Sequence, residues 1–365
     1  MNLTLENINW AFDDAKQEVL HSIHPYPAKF IPEIPKALIE LYMKDKESYI
    51  LDPFCGSGVT LVEAQRAGYR SIGVDLNPIA SLISSVKTHP LEEGFLDVCE
   101  EVVARFVSGD VAPVYCDFKN REHWFSAEIY EALGRLKGCL AQYEGTAYFD
   151  ALNFCFSSII VKVSNQDSDT RYAYRDKHKT KEDVLRYFLA SAKKLALGKA
   201  GGQIVSSEVI RANVLTLSEE QIPCGIGLVV TSPPYPCAYE YWLYHKFRMY
   251  WLGYDPQQVK EQEIGTRSLY FKKQRSEGYE FAAQMKQLLA YLHPKCIEGA
   301  HLCFIQGRSK IHGKIYNNDE IIAEAAIATG YKHVATIERE IKSSRKSFNL
   351  SHARIQKEYI VILEK

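Results

Sequence analysis

Ser232-Pro233-Pro234-Tyr235 joins a hydroxyl, two rigid prolines and an aromatic ring, and it follows directly on the apolar run Gly227 to Thr231. Proline fixes φ and has no N–H, so the carbonyls around the pair are held stiffly and stay free to accept hydrogen bonds. The Ser232 hydroxyl and the Pro233 carbonyl suit the two hydrogens of an exocyclic amino group and would aim its lone pair at an electrophile. Tyr235 offers a flat face for a planar base, a contact worth roughly 1–3 kcal/mol. The same four residues also suit a polyproline turn or a partner-binding motif, so context must decide.

A second chemical stretch lies upstream. Tyr49-Ile50-Leu51-Asp52 reads as a short strand closed by an acid, and Pro53-Phe54-Cys55-Gly56-Ser57-Gly58 leads into the helical pattern Val59 to Ala67. Gly56 and Gly58 let the backbone approach a ligand, and a helix N-terminus beyond them favours an anion. Gly68 is placed to end the helix. Ser71 to Asp75 reads as the next strand, with its acid about 17 residues past Gly58, near the offset of a ribose-binding carboxylate. Asn77-Pro78 then supplies an N-cap and a first-turn proline for a helix to about Lys87. Gly-Ser-Gly lacks the six-residue dinucleotide spacing, which favours a ligand with one nucleoside and a carboxylate over a pyrophosphate. A third stretch, His21 to Phe30, holds Pro25 and Pro27 and reads as a structured loop before a helix over Ile31 to Met43. Lys29 there is either a surface lysine or a cation beside a bound carboxylate.

The elements that position these residues form an α/β chain. Its 365 residues suffice for a sizeable core, and 46% hydrophobic with 24% charged residues is ordinary globular composition. Net charge is −1, so any nucleic-acid surface must be local; Lys and Arg gather at Lys177 to Lys181, Lys193 to Lys199, Lys272 to Arg275 and Lys342 to Lys346. Nine cysteines show no Cys-x-x-Cys or metal-like spacing and read as reduced thiols, with no metal expected. Met1 to Trp10 lacks a basic, apolar leader and no run approaches ~18 apolar residues, which points to the cytoplasm.

Between Leu91 and Ser206 an excursion of more than a hundred residues separates the two chemical halves. It reads as largely helical, with an apolar stripe over Val184 to Leu197. The polar loop Ser164 to Arg175 interleaves Arg171, Tyr172 and Arg175, a mixture that suits phosphate and base contact and equally a plain exposed loop. After the Pro-Pro turn, Pro236 to Gly253 is dense in aromatics; most suit a core, and Tyr239 lies nearest the turn as a second wall for a base. Gly265 to Gly278 reads as a polar, basic loop, and Arg345 to Asn349 as a solvated polar loop. Ala300 to Ile305, Val334 to Ile337 and Tyr359 to Leu363 complete the sheet.

His24 to Phe30, Asp52 to Gly58 and Ser232 to Tyr235 together resemble three signature segments of the amino-group DNA methyltransferases, which use S-adenosylmethionine. The resemblance implies a Rossmann-like class I methyltransferase sheet, mostly parallel with an antiparallel edge, over residues 1–90 and 207–365; residues 91–206 form the insertion, a candidate target-recognition region. By the same resemblance Tyr26, Lys29 and Phe30 lie at the methionine end of the cofactor. Asp52, Pro53, Phe54, Cys55, Gly56, Ser57 and Gly58 form its bed, and Asp75 with Leu76 meets the ribose. Ile210 to Leu215 resembles the segment near the cofactor adenine, where Asn213 stands in place of the family's usual acid. Ser232, Pro233, Pro234 and Tyr235 become the catalytic residues. Ser at the head of that tetrad is more typical of cytosine-N4 enzymes, and Asp or Asn of adenine-N6 enzymes. The implied partner is double-stranded DNA with a flipped base, in a restriction–modification or related defence system, with or without a cognate restriction endonuclease. Cytosine-C5 chemistry needs a cysteine nucleophile, and neither Cys224 nor Cys237 stands in the Pro-Pro-Tyr position. An RNA guanine-N2 methyltransferase and a catalytically silent DNA-recognition subunit are the rival readings.

Overall fold

The computed structural model describes residues 4–13, 18–29, 31–200, 205–267, 270, 279–340 and 357–365. Its centre is a seven-stranded sheet in the order β10-β11-β7-β6-β1-β2-β5. These strands are β1 (Tyr49–Asp52), β2 (Ser71–Asp75), β5 (Ser207–Arg211), β6 (Ile226–Thr231), β7 (Cys296–Gly307), β10 (Lys332–Glu340) and β11 (Lys357–Glu364). Strands β5, β2, β1, β6 and β7 pair in parallel, while β11 runs antiparallel to both β7 and β10. This is the mostly parallel, Rossmann-like sheet with an antiparallel edge that the sequence reading expects. The antiparallel pair lies at its edge, and the reversed strand itself is the penultimate one. Two short hairpins, β3 (Gln166–Ser168) with β4 (Arg171–Tyr174) and β8 (Ser309–Ile311) with β9 (Lys314–Tyr316), stand apart from the sheet.

Parallel strands covered on both faces are apolar throughout, and every residue of β6 is buried. The period-two alternation assigns the faces. Ile50, Leu228, Val230, Cys303, Ile305, Ile360 and Ile362 pack on one side with α2 (Glu33–Tyr42) and α3 (Val59–Arg66). Leu51, Val229, Leu302, Phe304, Val361 and Leu363 pack on the other, under the helices Tyr279–Leu292 and Asn318–Ile327. The short α1 (Val19–Ser22) precedes α2. The helix α4 (Pro78–Thr88) follows β2, with the Asn77 side chain accepting the Ile79 N–H at 3.0 Å.

A separate apolar core forms beside the sheet. It unites α4 with α5 (Phe95–Ser108), α7 (Ala127–Ala141), α8 (Phe149–Val163) and α9 (Lys181–Lys199), and the four-residue α6 (Arg121–Trp124) borders it. From beyond the Pro-Pro turn, Phe247 and Trp251 of α11 (Lys246–Trp251) enter the same core, flanked in sequence by α10 (Tyr241–Tyr244) and α12 (Pro256–Gln262). Ser164 to Arg175, read as a loop, is instead the β3/β4 hairpin, because Gln166 pairs with Tyr174 and Ser168 with Arg171. All nine cysteines are free. Among the described residues no helix is long and apolar enough to cross a membrane.

Candidate active site

The carboxyl ends of β1, β2 and β6 meet where the strand order reverses, the place where open α/β sheets take ligands. Asp52 ends β1 and is almost fully buried; its Oδ1 accepts the Thr231 hydroxyl at 2.6 Å and the Phe54 N–H at 3.1 Å. Since Thr231 ends β6, this carboxylate ties the glycine loop to the strand that delivers the Pro-Pro turn. Burial pushes Asp52 up to about 6 against those hydrogen bonds.

The loop then turns sharply at Gly56, whose φ is +49°; a Cβ there would stand 3.2 Å from the Tyr26 ring. Glycine lets loop and ring close against each other. The Gly56 N–H donates to Asp75 Oδ2 at 2.9 Å and the Asn77 N–H to Oδ1 at 2.8 Å, so the acid of β2 is oriented from both sides. Burial raises Asp75 to about 6, and the two N–H donors oppose the rise.

These residues open onto one cleft. Pro53, Phe54, Cys55, Gly56 and Ser57 line its floor, with Asp75, Leu76 and Asn213 beyond, and Tyr26 and Lys29 on the side of the N-terminal loop. Ser232 and Pro234 of the Pro-Pro turn line it too. Asp52, Gly58, Pro233 and Tyr235 adjoin these residues in the chain without themselves lining the cleft. Phe30 lies outside the described residues. Asn213 caps a short 3-10 turn, its Oδ1 accepting the Leu215 N–H at 3.0 Å. The Lys29 ammonium donates to the His21 carbonyl, and burial lowers Lys29 to about 8, with Lys194 adding to the fall.

The turn differs from its sequence reading in two respects. The Pro233 carbonyl is not vacant: Gln306 Nε2, fully buried at the end of β7, donates to it at 2.8 Å. One lone pair of that oxygen is thereby used and the other remains. Tyr235 is buried rather than open-faced, because its hydroxyl donates to Glu358 Oε1 at 3.2 Å while Arg339 holds Glu358 Oε2 at 2.7 Å. Burial, then the Glu358 charge, raises the Tyr235 phenol well above its ordinary value.

The residues assigned to DNA separate. Arg171 and Arg175 are exposed on the hairpin, each about the same distance from Asp167, at 3.7 and 3.6 Å. Tyr172 does not face outward: its ring packs on Trp124 at 4.7 Å and Phe247 at 5.8 Å, since an aromatic surrounded by others gains more from burial than from water. Tyr239 is half-buried, 5.9 Å from the Tyr241 ring. The basic stretches Lys272 to Arg275 and Lys342 to Lys346 lie outside the described residues, as do most of Gly265 to Gly278 and all of Arg345 to Asn349.

The far wall of the cleft was not anticipated. Tyr241, stacked on Tyr26 at 5.9 Å, and the segment Val259, Gln262, Glu263 and Ile264 close it. Tyr241 sits in the aromatic run already noted as core; Val259 to Ile264 carries no motif, and only its place in space reveals it.

Residues 4–84 match the family model for DNA methylases of the N6/N4 type. The type II methyltransferase M.MvaI of Kocuria varians is 28% identical over 243 residues, covering 60% of this chain and 54% of that protein. The type II methyltransferase M.MjaII of Methanocaldococcus jannaschii is 45% identical over 71 residues, 19% of this chain and 13% of that protein. Among solved structures, TrmN from Thermus thermophilus superposes with a TM-score of 0.37 at 9% identity, covering 95% of this chain and 51% of that one. The chain thus spans about half the length of M.MvaI and a smaller part of M.MjaII. The matched family model covers the N-terminal loop and the glycine loop through Ser84, the part of the chain that builds the cleft floor, and over that part the chain is similar to the DNA methylases of the N6/N4 type.

Proposed function

We propose that this chain methylates the exocyclic amino group of a base flipped out of double-stranded DNA, at cytosine N4, within a restriction–modification or related defence system. The observation that carries the reading is that Ser232 and Pro234 share one cleft with the glycine loop and Asp75. The cleft also fits the donor's polarity: Ser57 Oγ and Asn77 Nδ2, both from lining residues, are buried without a hydrogen-bond partner. When bound there, S-adenosylmethionine supplies an electrophilic methyl group on a sulfonium.

The protein's part is positioning and electrostatics, with no covalent enzyme intermediate. The amino nitrogen of the base is a poor nucleophile because its lone pair is delocalised into the ring. The Ser232 hydroxyl and the remaining lone pair of the Pro233 carbonyl accept its hydrogens and favour the tetrahedral nitrogen. Tyr235, held by Glu358, backs the turn. Bringing the base to this point costs a few kcal/mol of unstacking. Ser232 at the head of the tetrad favours cytosine, through the resemblance described above. Residues 1–90 and 207–365 form the catalytic part in this proposal, and 91–206 the target-recognition part. Exposed Arg171 and Arg175 support that assignment, since β4 packs against α10, beside the cleft.

Nucleoside mass spectrometry decides the reading. Unmethylated plasmid DNA incubated with the chain and labelled S-adenosylmethionine should yield labelled N4-methylcytosine, with at least a hundredfold less from Tyr235→Ala. Label on N6-methyladenine would keep the mechanism and overturn the base. Label on tRNA alone would move the enzyme to RNA, and cofactor binding without any transfer would leave a silent recognition subunit.

A further inference from the structure

Two carboxylates and one ammonium line the cleft, and the ammonium, Lys29, donates to the His21 carbonyl. Asp75 is the expected acid. Glu263 belongs to none of the signature segments. It caps the end of α12 and is 6% exposed; Oε1 accepts the Tyr241 N–H at 3.0 Å and Oε2 the Trp242 N–H at 2.7 Å. Among the described residues no ion pair reaches it. Its place is fixed from the far side as well: the next glycine, Gly265, accepts the Cys237 N–H at 2.8 Å, and a Cβ on Gly265 would stand 3.0 Å from Pro236 Cα. Glu263 is therefore stitched to the strand end that carries the catalytic turn.

Burying a carboxylate without a counter-ion is unfavourable unless a cation completes the site. S-adenosylmethionine brings two positive charges, an ammonium and a sulfonium, against one carboxylate. Its demethylated product keeps only the ammonium, because the sulfur has become a neutral thioether. We propose that Glu263 reads the positive charge of the methyl donor, so that the cleft favours S-adenosylmethionine over S-adenosylhomocysteine and empties after transfer. This rests on the reading of the cleft as the cofactor site.

The groups acting on Glu263 include the acids Asp75 at the end of β2 and Glu240 before α10 and the phenols Tyr241 and Tyr244 of α10 and Tyr26 of the N-terminal loop, while Lys29 lines the same cleft and Lys260, earlier in α12, lies over the Trp242 ring. Burial, with Glu240 and Asp75 adding to it, lifts Glu263 to about 8, while the two N–H donors pull the other way. Below that value the empty cleft holds Glu263 protonated. A bound cation draws it back toward the ordinary carboxylate range, and the proton leaves for solvent. Asp75, near 6, adds to the release only in more acidic solution.

The test is isothermal titration calorimetry of the full chain at pH 7.5 in two buffers of different ionisation enthalpy, with S-adenosylmethionine and S-adenosylhomocysteine in turn. The expected result is release of up to about one proton per S-adenosylmethionine and much less with the product. Glu263→Gln should abolish the difference and cut the preference for the donor roughly tenfold, the size of one charge-assisted contact. Should that variant fail to fold by circular dichroism, the wild type alone decides, because the release must vanish near pH 9, where Glu263 is already ionised. Equal release with both ligands, release that persists at pH 9, or a folded variant with an unchanged preference would overturn the proposal. Failure of either ligand to bind would instead remove the cofactor reading of the cleft.

Discussion

Pro233 and Gln306 form the contact on which the geometry of the turn depends. Gln306 Nε2 takes one lone pair of the Pro233 carbonyl, and the Gln306 amide is itself oriented by Asn318, whose Nδ2 also donates to the Gly307 carbonyl at 2.7 Å and to Ser309 Oγ at 2.8 Å. Gln306→Leu would leave the carbonyl free to rotate away from the substrate. The expected outcome is a fall in kcat of roughly 10–100-fold, the worth of one buried hydrogen bond, with the dissociation constant for S-adenosylmethionine unchanged. Single-turnover kinetics beside calorimetry would separate the two; equal losses in both would mean that Gln306 acts only on folding. Residues at this scale were legible in sequence where they sit in a contiguous motif. Asp52, Gly56, Asp75 and Ser232 were found because proline, glycine and a closing acid mark the ends of strands. Gln306 and Glu358 escaped because strand pairing, which has no local signature, carries them to the turn.

The middle of β2 shows how an element can shape a site from behind the residues that line it. A Cβ on Gly73, in the middle of β2, would stand 2.6 Å from Leu61 Cδ1 and 2.9 Å from Cys55 Cβ, closer than packed atoms allow. Leu61 belongs to α3 and Cys55 to the glycine loop, so the missing side chain is what lets helix and loop lie down on the sheet. Gly73→Ala should destabilise the protein by about 1–3 kcal/mol through overpacking and, by lifting Cys55, weaken S-adenosylmethionine binding several-fold. Urea denaturation and calorimetry read the two effects, and a stable variant with native affinity would contradict the packing argument. The strands themselves were legible from apolar runs and alternation. The wall Val259 to Ile264 was not, since a short polar helix far along the chain gains its role only from what it faces.

For the whole molecule, the decisive residue is Arg248, fully buried in α11. Its Nε donates to the Ser157 carbonyl of α8 at 3.0 Å, and its guanidinium pairs with Asp169 between β3 and β4. One side chain thus joins the segment beyond the Pro-Pro turn, a helix of the excursion and the hairpin that presents Arg171 and Arg175. Arg248→Ala strands Asp169 and should cost on the order of 3–5 kcal/mol, seen as a lowered denaturation midpoint. A loss under about 1 kcal/mol would show that the three parts do not depend on it.

The shared core sets a rule for recombination. Phe247 and Trp251 lie among side chains contributed by residues 91–206, although they follow the turn in sequence. The part of this protein that can be exchanged is therefore discontinuous. A chimera receiving a relative's 91–206 alone should emerge insoluble, whereas one that also imports 241–252 should be recovered soluble and monodisperse by gel filtration. Genes that trade this region in one contiguous block would have to carry compensating changes downstream, and a new specificity would be inherited as two separated pieces of chain.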